Sequence, residues 1–347
     1  MNRFVKTFLL AVVIIVGGWA LYNRHEIKSL DDAWQLAQSQ ASQSTEGISS
    51  PFQFVKSSDY VEDGSTYTRE SFRENLTSQN LGNQLGEMPS VRIASFKLAT
   101  DSGVRNQSYA ADICEQYDIV AIQNNSDLRI SQLNRELRQR GLPFEYIDQS
   151  SVEGKFAILF RVDTVMLEGQ HWYTVNDPEN LFLHKPLVAW FRAINVPSDV
   201  AFTFTLANVQ LNHRDPDREV AQLGQLFRAI RNDGRIEDDI IIAGDFYSSD
   251  QQIRDLKSRS GLVSAISGMA TNTRNDTQLD NLIFDPKATV EFTGNSGVFD
   301  FMKRFNLTLV DAMSISKRMP IWAEFSSVEG RLSGRAAEAH WASGTSR

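Results

Sequence analysis

From position 91 to position 325 the apolar residues fall into short runs of strand length, bounded by polar or turn-forming positions. Residues 91–96 (VRIASF) alternate and predict a strand, and 118–123 (DIVAIQ) predict a more fully buried one. Positions 108–116 and 131–140 carry a helical pattern, the second closed by Gly141 and Pro143. Strands then follow without helices at 144–148, 156–161, 165–168, 187–194 and 201–210. Asp215 as cap, Pro216 in the first turn, and Val220, Leu223, Leu226, Phe227 and Ile230 on one face predict an amphipathic helix ending before Gly234. It leads into 238–247, DDIIIAGDFY, a β-branched run suited to a strand buried on both faces. That run ends in Gly-Asp, which sets the Asp245 carboxylate at a sheet rim. Strands at 279–284, 289–293 and 321–325 and a helix near 299–305 complete the pattern. Helix–strand alternation followed by a strand meander predicts a mixed sheet or a sheet sandwich.

The flanks differ in character. Arg3 and Lys6 precede an uncharged, mostly apolar run of 16 residues at 7–22, so residues 1–22 are expected to be a signal anchor or signal peptide. An uncleaved anchor is the preferred reading, with Gly18-Trp19-Ala20 as the cleavage site in the alternative. Positive charge at the extreme N-terminus then predicts a membrane-anchored, extracytoplasmic protein, secreted or periplasmic if the signal is cleaved. Residues 23–90 form a spacer, partly helical or disordered, with an amphipathic stretch at 30–40; 91–326 form the main domain; 327–347 form a small, polar, disordered tail. Cys114 is the sole cysteine, so no intrachain disulfide can staple the fold, and 41% apolar residues supply the core instead. A net charge of −8 argues against a general nucleic-acid-binding surface.

Seven short segments carry a resemblance: IASF at 93–96, YDIVAIQ at 117–123, EGKFAILFR at 153–161, FTLANV followed by DPDREVAQL, DDIIIAGDF at 238–246, TQLDNLIFD at 277–285 and MPIWAEF at 319–325. In order and spacing they resemble the endonuclease/exonuclease/phosphatase superfamily, specifically its deoxyribonuclease I branch. The resemblance implies an α+β fold, a four-layered αββα sandwich, here behind an N-terminal membrane anchor. It also implies a metal-dependent phosphodiesterase site at the strand ends between the two sheets. Such chemistry needs clustered carboxylates for Mg²⁺ or Ca²⁺, a histidine paired with an acid to activate water, and donors for the charge developing on phosphate.

Against that pattern the chain retains Asp245 and Asp280 and departs elsewhere. Lys97 stands where the family has a polar residue, usually Asn; Asn124 stands for the metal-binding Glu; Gln210 stands for the His; Tyr247 stands for the Asn of GDFN. In the closing Ser-Asp-His-x-Pro motif, Lys317 and Arg318 replace both catalytic members. Asp245 and Asp280 contribute −2 and Lys97, Lys317 and Arg318 contribute +3, a net of +1 where the family would carry about four negative charges. Fixed cations there repel a divalent ion, so no resident metal and no cofactor are expected, magnesium or calcium being needed only by an active enzyme. The expectation is a membrane-tethered, catalytically inactive binding or scaffolding module, with Lys97, Arg161, Lys317 and Arg318 as candidate anion-binding groups. The alternative is a magnesium-dependent endonuclease or phosphodiesterase of altered or reduced activity, using Asp245, Asp280 and His213 as a replacement for the missing histidine. Nucleic acid or another phosphorylated ligand is expected as a partner by family resemblance alone, the membrane through residues 1–22, and no protein partner is indicated. His171, His184 and His340 are isolated and read as packing or surface residues. Residues 272–277 form a polar loop leading into Asp280.

Overall fold

A computed structural model describes residues 53–54, 89–99, 104–124, 126–149, 156–235, 237–249, 252–253 and 260–330. The expectations for residues 1–22, for the stretch at 30–40 and for 331–347 lie outside these residues. No helix of the described residues is long and apolar enough to cross a membrane.

In chain order the strands are β1 (Gln53–Phe54), β2 (Ser90–Lys97), β3 (Ile119–Gln123), β4 (Phe144–Asp148), β5 (Phe156–Arg161), β6 (Val165–Asn176) and β7 (Leu187–Ala193). They continue as β8 (Thr203–Gln210), β9 (Ile240–Asp245), β10 (Val263–Ser264), β11 (Asp280–Phe284), β12 (Phe292–Val298) and β13 (Ile321–Ser326). The helices are α1 (Val104–Cys114), α2 (Asp127–Gln139), α3 (Pro216–Val220), α4 (Leu223–Arg231), α5 (Phe301–Arg304) and α6 (Leu309–Ile315).

One sheet runs β12-β13-β2-β3-β5-β4 and the other β1-β6-β7-β8-β9-β11-β10. Most neighbours are antiparallel; β2 pairs with β3 and β8 with β9 in parallel, at the centres of the two sheets. The residues of β3, β5, β9 and β11 that the sequence shows as unbroken apolar runs are buried almost throughout, as strands covered on both faces must be. Between the sheets Ile93, Ile119, Phe160, Phe191, Phe204, Ile241, Leu282 and Phe325 form one apolar cluster. Leu226, Phe227 and Ile230 of α4 cover Val188, Ala207 and Ile242 on the outer face of one sheet, and α1 and α2 cover Ala94, Val120 and Leu159 on the outer face of the other.

Gly244, in the Gly-Asp that ends β9, answers to a close approach: a Cβ there would lie 1.9 Å from the Val209 carbonyl oxygen of β8. Gly244→Ala is therefore expected to cost about 1–3 kcal/mol or more by overpacking, read as a lower urea midpoint. An unchanged midpoint would mean that β8 and β9 can separate freely.

Several elements differ from their sequence expectation. The helix from Asp215 is broken into α3 and α4, and the Asp215 side chain makes no capping bond. The break falls at Ala221 and Gln222; just before it the Glu219 carboxylate accepts the Leu183 and Asn212 amides at 2.8 and 2.9 Å and so ties α3 to the neighbouring loop. The strand expected at 289–293 starts at Phe292, because Asp285 gathers the Lys287, Ala288 and Thr289 amides into a turn first. β6 runs well past 168, with a register shift between Leu167 and Trp172. α6 was not legible. Part of the 23–90 spacer is strand β1 on the edge of the larger sheet. Residues 327–330, expected in the tail, are held in the fold, where Ser327 and Glu329 bond the backbone of Pro89 and Val200.

Candidate functional site

The ends of β2, β9 and β11 bring three charged side chains together. Lys97 is the last residue of β2, Asp245 the last of β9 and Asp280 the first of β11, where antiparallel register sets it opposite Asp245. The fourth, Arg318, lies between α6 and β13 and is placed by the 272–277 loop. Met319 N–H donates to Thr271 O at 2.7 Å, Thr273 Oγ1 to Ser316 O at 2.7 Å, and Asn272 forms a β-bridge with Arg318. Ser316 ties this segment to β2 by donating its hydroxyl to Lys97 O.

Lys97 Nζ lies 2.7 Å from Asp245 Oδ2 and 2.6 Å from the Tyr247 hydroxyl. Arg318 spans both acids: its NH2 stands 3.3 Å from Asp245 Oδ1 and its Nε 3.3 Å from Asp280 Oδ2. Both cations gather at Tyr247, Lys97 Nζ at its hydroxyl end and the Arg318 guanidinium carbon 4.9 Å from the ring centroid. Tyr247 holds a positive φ of 50°, a costly conformation for an aromatic residue. The Asp245 side chain is fully buried and those of Lys97 and Arg318 are 14% and 10% exposed, so these charges meet in a poorly solvated setting.

Burial lowers the Lys97 ammonium most, but the Asp245 carboxylate and the Tyr247 hydroxyl together outweigh it and hold its pKa above the ordinary lysine value. Arg318 is likewise held up against burial by Asp245 and Asp280. The Asp280 carboxyl is pushed well above the usual range by burial first and then by the charge of Asp245, although Arg318 and the Thr271 hydroxyl, 2.7 Å away, act the other way. Beneath the cluster a neutral network joins the sheets. Gln123 Nε2 donates to Asn208 Oδ1 at 2.8 Å, and Asn208 Nδ2 donates to the carbonyls of Ile122 and Ala157.

The remaining sequence candidates scatter. Lys317 is exposed and takes no place in the cluster, so the expected formal charge of +1 is corrected to a formal zero, counting both aspartates as ionised: −2 from the aspartates and +2 from Lys97 and Arg318. The cause is local geometry, since neighbouring residues of an extended segment face opposite ways and Arg318 is the inward one. Arg161 is corrected too. It ends β5 at the far edge from Phe156, which pairs with Gln123, roughly 17 Å along the strand, and there it pairs with Asp163 at 2.7 Å. Asn124 turns to the Leu98 carbonyl at 3.0 Å and not to either aspartate. Gln210 lies beside Asp245 in register, and its Oε1 has no hydrogen-bond partner among the described residues. His213 is exposed, its ring 5.8 Å from that of Tyr247. His171 stacks on Trp190 and His184 packs edge-on to Phe156, as packing residues do; His340 lies outside the described residues.

Both oxygens of Asp245 and one of Asp280 face cationic nitrogen, so a divalent ion would have to displace Lys97 and Arg318 to use them. Among the described residues, carboxylates close enough to share an ion lie instead at the other end of β9: Asp239 with Glu291 and Glu329, flanked by Glu237 and Asp238. No sequence motif marked that group.

No family model matches the chain. It is 25% identical over 234 residues to deoxyribonuclease-1-like 1 of Cricetulus griseus, covering 62% of this chain and 75% of that protein. It is 26% identical over 230 residues to deoxyribonuclease-1-like 1 of Bos taurus, covering 60% and 71%. Among solved structures it is similar to humanized D. rerio TDP2, with a TM-score of 0.50 at 13% identity, covering 68% of this chain and 98% of that one. The structural likeness concerns the fold, a mixed α/β sandwich of two sheets.

Proposed function

We propose, on the premise that the chain belongs to the deoxyribonuclease I-like branch of the endonuclease/exonuclease/phosphatase superfamily, that it is a catalytically inactive, membrane-tethered member. Its nuclease-type domain, an αββα sandwich, then serves as a binding or scaffolding module. One observation carries this reading: Lys97 and Arg318 sit on the two aspartates that the resemblance assigns to metal, at 2.7 and 3.3 Å. The protein's own cations supply the countercharge that an ion would otherwise bring. The substituted general base agrees with it, because Gln210 can neither take up nor release a proton. The two buried cations are neutralised in place, which leaves them little attraction for a phosphate, so the anion-binding role expected of this set retreats to the exposed Lys317. The tether rests on the apolar run at 7–22. If that run anchors the protein, it will sediment with membranes and resist extraction by carbonate; recovery in the soluble fraction removes the tether.

The test of inactivity is cleavage. The full chain is expected to leave plasmid DNA intact with magnesium or calcium present. Metal-dependent cleavage that Asp245→Ala and Asp280→Asn each abolish would restore the enzyme. The complementary chain carries Lys97→Asn, Asn124→Glu, Gln210→His, Tyr247→Asn, Lys317→Asp and Arg318→His, and is expected to gain magnesium-dependent cleavage. The second reading, an altered hydrolase, draws on the place of His213 beside Tyr247. It requires His213→Ala to suppress whatever cleavage is seen.

A further inference from the structure

At the entry to β9, roughly 20 Å from Asp245 along the strand, the chain buries carboxylates without cations. Asp239 precedes β9, Glu291 precedes β12 and Glu329 follows β13, and one oxygen from each lies within 4.8 Å of the others. Asp239 and Glu291 are each 2% exposed. Asp239 Oδ1 and Glu291 Oε2 have no hydrogen-bond partner among the described residues, and no lysine, arginine or histidine among those residues pairs with any of the three acids. Buried carboxylates in mutual contact are costly unless something positive joins them.

The surroundings hold these oxygens in place. Glu237 is engaged elsewhere, accepting Trp190 Nε1–H at 2.8 Å and the Asp239 amide at 3.0 Å. Glu329 Oε2 accepts the Thr203 amide at 3.1 Å. The backbone at Gly330 closes on Glu291 so tightly that a Cβ there would stand 2.6 Å from its Oε1. The buried Thr289 hydroxyl beside Asp239 adds a neutral oxygen.

We propose that Asp239, Glu291 and Glu329 form a structural divalent-cation site, calcium by preference, that fastens β9 of one sheet to the β12–β13 edge of the other. The donor set is all oxygen, as hard cations require. Three carboxylates in a buried, irregular setting suit calcium, whose coordination is large and flexible, better than magnesium, which keeps several waters and few carboxylates. The site stands apart from the question of catalysis, since it shares no residue with the Asp245 cluster.

The test is calorimetry and thermal unfolding of the full chain, stripped with chelator and titrated with calcium chloride at pH 7.5. One calcium site is expected, with a rise in Tm on saturation. Glu329→Gln, the least buried of the three positions, and Asp239→Asn are each expected to weaken calcium at least tenfold and to remove most of the Tm rise. Should Asp239→Asn fail to fold, Glu329→Gln carries the comparison. A folded wild-type chain that binds no calcium overturns the site. So does calcium binding that survives Glu329→Gln but is lost in Asp245→Asn, which would move the ion to the other rim. Magnesium bound as tightly as calcium overturns the stated preference.

Discussion

Asp245→Asn is expected to lower the stability of the fold by about 3–5 kcal/mol, the range for removing one partner of a buried ion pair. The substitution keeps shape and takes away charge. Arg318, 10% exposed in its side chain, would then keep only Asp280, and Lys97, 14% exposed, would keep no acidic partner within ion-pair distance among the described residues. The sign distinguishes the two functional readings. Where aspartates wait for a metal, their mutual repulsion strains the metal-free protein, and removing one stabilises it, the usual trade between activity and stability. Where internal cations already neutralise them, removing one exposes the cost of burying those cations. Urea denaturation in chelator at pH 7 reads the difference directly. A midpoint that rises, or does not move, would count against the internal ion cluster.

In chelator, stability is also expected to fall as pH rises from about 4 to about 9, by an amount on the order of several kcal/mol. The sign follows from the folded state binding more protons than the unfolded one. Asp239, raised to about 9, and Glu291, raised to about 7, keep protons in the fold that the unfolded chain releases near the ordinary carboxylate values. The stability they contribute is therefore complete below those ordinary values and is lost as pH climbs through the folded ones. Glu329 and Glu237, both raised by burial first, face the same group, and Asp238 adds its charge beside them. Asp280, also raised, adds to the fall, whereas Glu324, lowered by the Asn295, Ser90 and Arg92 bonds that outweigh its burial, contributes stability lost only on acidification. Urea midpoints from pH 4.5 to pH 9 test this. A flat or rising profile would sink it, and calcium at saturation is expected to flatten the slope.

Particular residues show why some of this was legible in advance. The strands at 118–123, 156–161 and 238–245 announced themselves because a strand covered on both faces must be apolar at nearly every position, and the strand at 91–96 did so by alternation. The break between α3 and α4 stayed hidden, since one apolar face runs through Val220, Leu223, Leu226, Phe227 and Ile230 on both sides of it and periodicity does not register the interruption. The cluster was half readable. That Lys97 and Arg318 replace uncharged or catalytic residue types is a matter of order along the chain. That Lys317 faces out, and that Arg161 ends the wrong tip of β5, depends on facing and direction, which a shift of one residue inverts.

Local patterns of residue type and spacing determined a mixed sheet or sheet sandwich and the rim position of Asp245, and the family resemblance added the two-sheet form, the place of Asp280 and the exchange of family polar groups for lysine, arginine and tyrosine. Only the tertiary structure decided which cations reach those acids and that Asp239, Glu291 and Glu329 converge from three distant stretches. A carboxylate's charge is written in the chain, but its burial and its neighbours are set by where the segments meet, and those determine whether it seeks a proton, an ammonium or a metal.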